Sequence, residues 1–491
     1  MALDEIRNAK IEKIQKLRKA GIDPYPASSS RTHEIAQALL LFDSLANDKT
    51  EIVLVGRIMA KREHGGSIFF DVKDGSTSLT TSGSGQIQAY IKQDIVGEDN
   101  FKIFNELIDI GDFIEINGIL FKTKKEEKTL EVKKYRLLTK ALLPLPEKWH
   151  GLQDVEERLR KRYLDFLFNL DSRQIVEKRA VFWNAVREFH VQHGFLEVET
   201  PILEITVGGA DATPFKTHHN ALDMDTYLRI SAGELWQKRL MVAGFDKTFE
   251  IGRVFRNEGM SAEHLQDYTQ CEAYWAYANY EDMYKFLQEC YRYVAKKTFE
   301  TMRFQIRGFD VDLGSDWPLI DYAEEVKKQT DIDIWKATDK EIKNKLDELG
   351  VEYAFESKER LIDSLWKYCR KNIGGPAILI NEPKIISPLS KTSLKNPNVT
   401  ERFHFIIAGS EVGQGYSELN DPIDQRERFE AQEKMRELGD QEAQMADYEF
   451  VEALEYGMPP TAGHGFSERL LSFLMNKPIR ETQIFPLMRP K

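Results

Sequence analysis

Cysteine is scarce: three in 491 residues, Cys271, Cys290 and Cys369, with no CxxC among them. That excludes a disulfide scaffold and makes thiolate zinc sites and paired redox thiols poor readings. Long apolar runs are missing too. None approaches the roughly 18 residues that a membrane helix needs, and the charged N-terminus lacks the apolar core of a signal peptide. The expected setting is a reducing cytoplasm, with no membrane partner. Basic charge is in deficit, with 68 Lys plus Arg against 80 Asp plus Glu, a net of −12. A uniformly basic coat for nucleic acid is excluded, although a local basic face is not. The acidity is uneven: residues 1–148 hold 23 basic and 22 acidic side chains, and residues 149–491 hold 45 and 58. No Gly-Lys dipeptide occurs, so there is no Walker A loop. GxGxxG, HExxH and GxSxG are absent as well. Any ATP site has to be built without the usual glycine loop.

What is present suggests two to four domains by length. Residues 2–20 predict a helix, with Leu3, Ile6, Ile14 and Leu17 near one face and Gly21 and Pro24 as stop signals. Residues 1–19 carry six basic and three acidic side chains, either a solvated face or a basic arm for a polyanion. Five short strands follow at Ile52–Val55, Ile68–Val72, Ile87–Ile91, Phe113–Ile116 and Leu130–Val132. Gly- and Ser-rich turns separate them, and Ser78–Gly85 makes one turn long. This spacing predicts a small barrel over 51–143, of a kind that binds single-stranded nucleic acid by stacking. Residues 1–50 lead into it. Pro144 and Pro146 open a linker over 144–160, and 161–491 forms the larger part. There, 171–193, 281–302, 422–438 and 447–455 read as helical and 195–255 and 403–416 mostly as strands, with a helix-rich insertion at about 320–385. Strand groups followed by helix groups predict an α+β fold on a largely antiparallel sheet with flanking helices.

Three stretches carry chemistry. In Phe249–Gly259 and the loop beyond it, Arg253, Arg256, Glu258, His264 and Glu272 are too many ionisable groups for a plain core hairpin. They suit a polyphosphate site, with Arg256 neutralising charge at phosphorus and His264 assisting; the bland alternative is a surface hairpin with ion pairs. On a strand, Glu272 and Tyr274 share one face. Glu411 and Glu418, seven apart beside Gly413 and Gly415, suit Mg²⁺ between carboxylates and phosphate oxygens. Gly463 and Gly465 precede a helical run that begins near Arg469, a residue suited to stack or bind phosphate.

Taken in order, Gly194–Pro201, Phe255-Arg-Asn-Glu258 and Gly463…Glu468-Arg469 resemble motifs 1, 2 and 3 of class II aminoacyl-tRNA synthetases. The barrel ahead of them resembles subclass IIb. The lysine-specific family in particular is similar at Leu137–Ala141, His150–Asp154, Arg162–Asp165, Thr217–Leu222, Ser417–Asp421 and Pro459–Gly463. The chain departs from the family pattern at Tyr268, where Phe is common, at Glu263, where some members have Arg, and at Ser467-Glu468, where Ile-Asp is usual.

The resemblance implies an OB-fold anticodon domain joined to a class II catalytic domain. It implies L-lysine, ATP and tRNA(Lys) as substrates, Mg²⁺ as cofactor and a homodimer through motif 1. By motif match, Arg256 and Arg469 would be catalytic, and ATP would meet Arg256, Glu258, His264, Tyr268, Glu411 and Arg469. Tyr268 and Arg469 would sandwich the adenine, and Glu411 and Glu418 would bind the metal. Lysine would meet Gly208, Glu234, Glu272, Tyr274 and Asn420, and the anticodon Arg62, Phe69, Gln88 and Glu127. A buried ammonium must be paired. Glu272, if it faces the pocket, therefore favours lysine over aspartate by charge alone. The rivals are an aspartate or asparagine enzyme, and a tRNA-binding paralogue without catalysis.

Overall fold

The computed structural model describes residues 3–77, 84–146, 153–209, 212–353, 357–437 and 445–490. Most of the long Ser78–Gly85 turn and the His150–Leu152 part of a family stretch lie outside the described residues. The chain divides into two units, Met1–Asp154 and Val155–Lys491. No helix among the described residues is long and apolar enough to cross a membrane.

In the first unit, β1 (Ile52–His64), β2 (Ser67–Thr77), β3 (Ser84–Lys92), β4 (Phe113–Lys122) and β5 (Lys128–Thr139) close a barrel in the order β1-β2-β3-β5-β4. Alternation builds it: Ile52, Leu54 and Ile58 of β1 and Ile114, Ile116 and Leu120 of β4 are buried, and their neighbours look outward. Gly118 sits where the β4–β5 register shifts, and a Cβ there would strike the Glu131 carbonyl. The N-terminal helix (Leu3–Lys19) forms as the periodicity requires. It buries Ile14 and Leu17, and Lys13 reaches Asp109 at 2.6 Å. Lys61 caps the helix Glu98–Leu107 and the turn after it, donating to the carbonyls of Phe104, Asn105 and Ile108 at 2.9–3.0 Å. The fully buried Lys140 ammonium donates to the Leu107 carbonyl at 2.6 Å, Asp109 at 2.6 Å and Asp112 at 2.7 Å.

The second unit is organised by a large sheet. Its strands are β6 (Leu196–Glu197), β10 (Lys247–Phe255), β11 (Asp267–Ala276), β14 (Leu319–Asp321), β15 (Ala377–Ile380), β16 (Arg402–Ile407), β17 (Ser410–Ser417) and β18 (Thr461–Ser467). The order is β14-β15-β16-β17-β18-β11-β10-β6, antiparallel from β15 to β10 with a parallel pair at each edge. Strands β7 (Leu203–Glu204), β8 (Lys216–His219) and β9 (Met224–Leu228) form a small sheet, and β12 (Arg303–Ile306) and β13 (Phe309–Asp312) a hairpin. One face of the large sheet packs Phe249, Cys271, Ala273, Phe403, Phe405 and Phe466 against the helices Leu170–Gln192 and Tyr280–Phe299. The residues between them look the other way and floor the site. The helices Tyr322–Thr330, Asp339–Glu348 and Lys358–Cys369 lie between β14 and β15 and have a core of their own. The ends of the 320–385 insertion thus belong to the main sheet.

One expectation is corrected. Glu234–Val242, within the stretch read mostly as strands, is a helix. It starts at Gly233 in the left-handed region (φ 75°), and its buried face includes Glu234, Gln237 and Lys238. Polar residues on the buried side erase the periodicity that reveals a helix. Lys140→Met would leave Asp112 buried without its counter-ion and should cost the first unit about 3 kcal/mol, at the low end for a broken buried pair. Urea unfolding followed by far-UV circular dichroism reads this, and an unchanged first transition would refute it.

Candidate active site

The polar floor gathers side chains from four neighbouring strands and one helix. Strands β11 and β18 pair so that Glu272 faces Gly465 and Tyr274 faces Gly463. The two glycines leave room over the floor: a Cβ at Gly463 would meet the Tyr274 ring and the Glu418 carboxylate. They lie on a strand, not in a turn before the helix Arg469–Leu474, and His464 between them points into the core beside His190.

Above this floor is a pocket lined by Gly209, Glu234, Gln270, Glu272, Tyr274, Tyr416 and Glu418, among others. Glu272 accepts hydrogen bonds from the Ala232 N–H at 2.9 Å, Gln270 Nε2 at 2.7 Å and the Tyr274 hydroxyl at 3.1 Å. Burial and then the nearby Glu234 push the Glu272 carboxyl above its ordinary range. Burial raises Glu418 too, although Lys238 opposes it. Lys238, which sequence reasoning missed, is buried among the acids. Its Nζ lies 2.8 Å from Glu234 and 2.6 Å from Glu418, and the rings of Tyr274, Tyr416 and Phe450 surround it at 5.4–6.0 Å. Tyr416 also donates its hydroxyl to Glu234. Only the helix at Glu234–Val242 places Lys238 one turn after Glu234, so the strand reading hid it.

Two expected residues stand back from the pocket. The Gly208 carbonyl accepts from Ser231 at 3.3 Å, and Gly209 forms the wall. Asn420 accepts from Lys391 at 2.5 Å and donates to the Met458 carbonyl at 3.1 Å.

A second cavity is lined by Arg256, Glu258, Glu263, His264, Leu265, Tyr268, Ser467, Arg469 and Ile479, bringing motif 2 and motif 3 residues together. Arg256 lies over the Tyr268 ring at 5.7 Å and donates to the Ile230 carbonyl at 3.2 Å. Partial desolvation, then the guanidiniums of Arg469, Arg370 and Arg256, push His264 down to about 4, so it stays neutral at pH 7. Arg469 donates to the Glu411 carbonyl at 3.1 Å. Beside it, Glu468 is ion-paired with Arg179 of the helix Leu170–Gln192.

A larger cleft of about 300 Å³ opens alongside, with Arg256, Gln414, Tyr416 and Glu411 on its wall. Arg256 therefore borders all three spaces. Burial opposes ionisation of Glu411, but His404, Arg370 and the Trp366 indole N–H at 2.7 Å outweigh it and hold the carboxyl at about 2. Glu411 and Glu418 have different partners: Glu411 accepts from the Trp366 indole and borders the open cleft, and Glu418 is paired with Lys238. Among the described residues, no three His, Cys, Asp or Glu side chains converge as a ready-made metal cluster.

In the barrel, Phe70 enters the core and Phe69 looks outward, packed against Tyr90 with ring centroids 4.7 Å apart and planes tilted by 36°; Phe121 follows at 6.2 Å from Tyr90. Arg62 pairs in register with Phe69, Gln88 accepts from Thr129 at 3.0 Å, and Glu127 is exposed in the β4–β5 turn. Tyr90 and Phe121 were also missed, although alternation with the buried Ile91 and Leu120 signals that they face outward.

The sequence comparisons agree with this arrangement. Residues 154–489 match the family model of class II tRNA synthetases (D, K and N), and residues 52–138 match the OB-fold nucleic acid binding domain. Lysine–tRNA ligases of Thermosipho africanus and Thermotoga maritima are each 42% identical, covering 99% and 100% of this chain and 97% of each relative. That of Carboxydothermus hydrogenoformans is also 42% identical, over 100% of this chain and 99% of the relative. The chain belongs to the lysine–tRNA ligase family of class II synthetases. Its barrel is the family's OB-fold, and its second unit is the class II synthetase domain.

For this family member the raised Glu272 carboxyl has a measurable consequence. A cationic ligand entering the pocket lowers that pKa, so binding releases protons at pH values below the raised one, and affinity rises with pH up to it. Calorimetry of L-lysine binding at pH 7 in buffers of different ionisation enthalpy should record proton release. Glu272→Gln should weaken lysine by about 3 kcal/mol, roughly a hundredfold. Buffer-independent heats, with the Gln variant binding normally, would place the ammonium elsewhere.

Proposed function

We propose that this chain activates L-lysine with ATP to give lysyl-adenylate and pyrophosphate, then transfers lysine to the 3′ end of tRNA(Lys). One observation carries the choice of amino acid. The pocket holds the carboxylates of Glu234, Glu272 and Glu418 around the single resident ammonium of Lys238. Such an excess of buried acid must either hold protons, as the raised Glu272 and Glu418 carboxyls do, or take in a further cation. Lysine brings two ammonium groups. Aspartate would bring a second carboxylate and be repelled.

The chemistry needs no covalent protein nucleophile. The lysine carboxylate attacks the α-phosphorus and pyrophosphate leaves, so the work is positioning and charge stabilisation. The location of Arg256 at the meeting of the amino-acid pocket, the motif 2–motif 3 cavity and the open cleft supports its assignment to the α-phosphate. Tyr268 and Arg469, which line the second cavity, suit the adenine. Neutral His264 can donate a hydrogen bond to phosphate oxygen without adding a charge.

Magnesium fits the donor set at the cleft end. Glu411 is held ionised and is a hard oxygen ligand of the kind Mg²⁺ takes alongside phosphates. Glu418 is the second proposed ligand, and it must leave Lys238 to serve. When bound, the ion neutralises charge on the departing pyrophosphate.

The outward row of Phe69, Tyr90 and Phe121, flanked by Arg62, Gln88 and Glu127, supports anticodon reading by stacking. The homodimer is supported by exposed apolar side chains around motif 1, among them Leu196, Ile202, Leu203 and Ile205. A cytoplasmic location completes the proposal.

Pyrophosphate exchange into ATP should occur with lysine and Mg²⁺ and not with aspartate or asparagine; exchange with either of the latter overturns the pocket assignment. Phe69→Ala should remove about 1–3 kcal/mol of stacking from tRNA binding. Aminoacylation should then show a KM for tRNA raised about fivefold or more, with lysine-dependent exchange untouched. Equal loss in both assays would deny the barrel a separate role.

A further inference from the structure

The motif 2 loop is clasped to the rest of the second unit at Glu263. One oxygen of this carboxylate accepts from Arg307 Nη1 and the other from the Ser410 hydroxyl. Burial would raise the Glu263 carboxyl, but Ser410, Arg307 and the nearby Arg469 guanidinium outweigh it and hold it low. Glu263 lines the cavity that also contains Arg256, Glu258, His264, Tyr268 and Arg469. A hydroxyl and two guanidiniums around one anion make a cradle, and the chain's own carboxylate fills it.

Arg307 is held from outside the loop. It sits at the turn between β12 and β13 with φ 52°, its backbone N–H donates to Asn476 at 3.1 Å, and its guanidinium lies 4.2 Å from the Phe473 ring centre. These contacts hold Arg307 independently of the loop. A terminal phosphate carries more charge and more acceptor oxygens than a carboxylate, and a guanidinium fork matches it.

We propose that Arg307, outside the three class motifs, binds the terminal phosphate of ATP and the departing pyrophosphate, and that Glu263 holds its guanidinium in waiting until nucleotide enters. The proposal deepens the reading of this cavity as the ATP site and rests on it. No bond is made or broken by either residue: Glu263 swings out with its loop, and the Arg307 hydrogen bonds pass from carboxylate to phosphate.

The test compares the full-length wild type with R307A, R307K and E263Q. The probes are ATP with Mg²⁺, pyrophosphate, and lysyl-sulfamoyl adenosine, an adenylate analogue without β- and γ-phosphates. R307A should raise the KM for ATP and for pyrophosphate in exchange about tenfold and leave the analogue's Kd unchanged. R307K, which keeps a charge and preserves the fold should alanine disturb it, should show about a threefold rise. E263Q, which weakens the competitor, should lower the KM for ATP. R307A and R307K both binding ATP and pyrophosphate normally would overturn the proposal, as would a loss shared equally by ATP and the analogue, because Arg307 would then only anchor the loop. Wild-type protein that binds neither ATP nor the analogue would overturn the ATP-site reading itself, and this proposal with it.

Discussion

Three carboxylates share one dry pocket. Glu234, Glu272 and Glu418 are each less than 5% exposed, and among the described residues only Lys238 answers them with an ammonium inside the pocket. Leaving a buried charge unpaired costs several kcal/mol, so the surroundings must compensate. They do so with the Ala232 N–H and the Gln270 and Tyr274 side chains on Glu272, the Tyr416 hydroxyl on Glu234, and an aromatic cage around Lys238. Strand pairing, the two glycines of β18 and the left-handed start of the Glu234–Val242 helix all serve to bring these groups together.

The sheet makes this possible by being solid on one face only. Alternation sends Cys271, Ala273 and Phe466 into the core and leaves Gln270, Glu272 and Tyr274 on the other side. Burial of aromatic side chains on the core face supplies the stability with which the strained acidic face coexists. Arg256 stands where the polar face meets the motif 2 loop, so its single guanidinium borders all three cavities. Glu468 ties the strand–helix junction at Arg469 to Arg179 on the helix Leu170–Gln192. The position of Arg469 thus depends on the same helix that packs beneath the sheet.

Strongly periodic elements were legible in the chain. The barrel strands, the helix Leu170–Gln192 and the helix Tyr280–Phe299 follow from alternation or 3.6-residue repeats, because burial acts on each of them in a simple one-sided way. The same logic misled at Glu234–Val242, where the buried side is polar, and at Gly463–Gly465, where small residues hide a strand. Glu272 and Tyr274 were readable because a strand puts residues two apart on one face. Lys238 was not, since its partners Glu234 and Glu418 are four and 180 residues away and meet only after the sheet has formed. Spacing alone likewise suggested Glu411 and Glu418 as a pair, but not their present partners, Trp366 for the one and Lys238 for the other.

The order of the motifs, the charge of the pocket residues and the outward aromatic positions of the barrel were determined by the sequence alone, because each depends on residue type and local period. The tertiary structure decided which charges meet: Lys238 with Glu234 and Glu418, Glu263 with Arg307 and Ser410, and Arg256 with three cavities at once. Coulomb energy varies with distance and burial, and both are properties of the folded chain that no stretch of residues contains by itself.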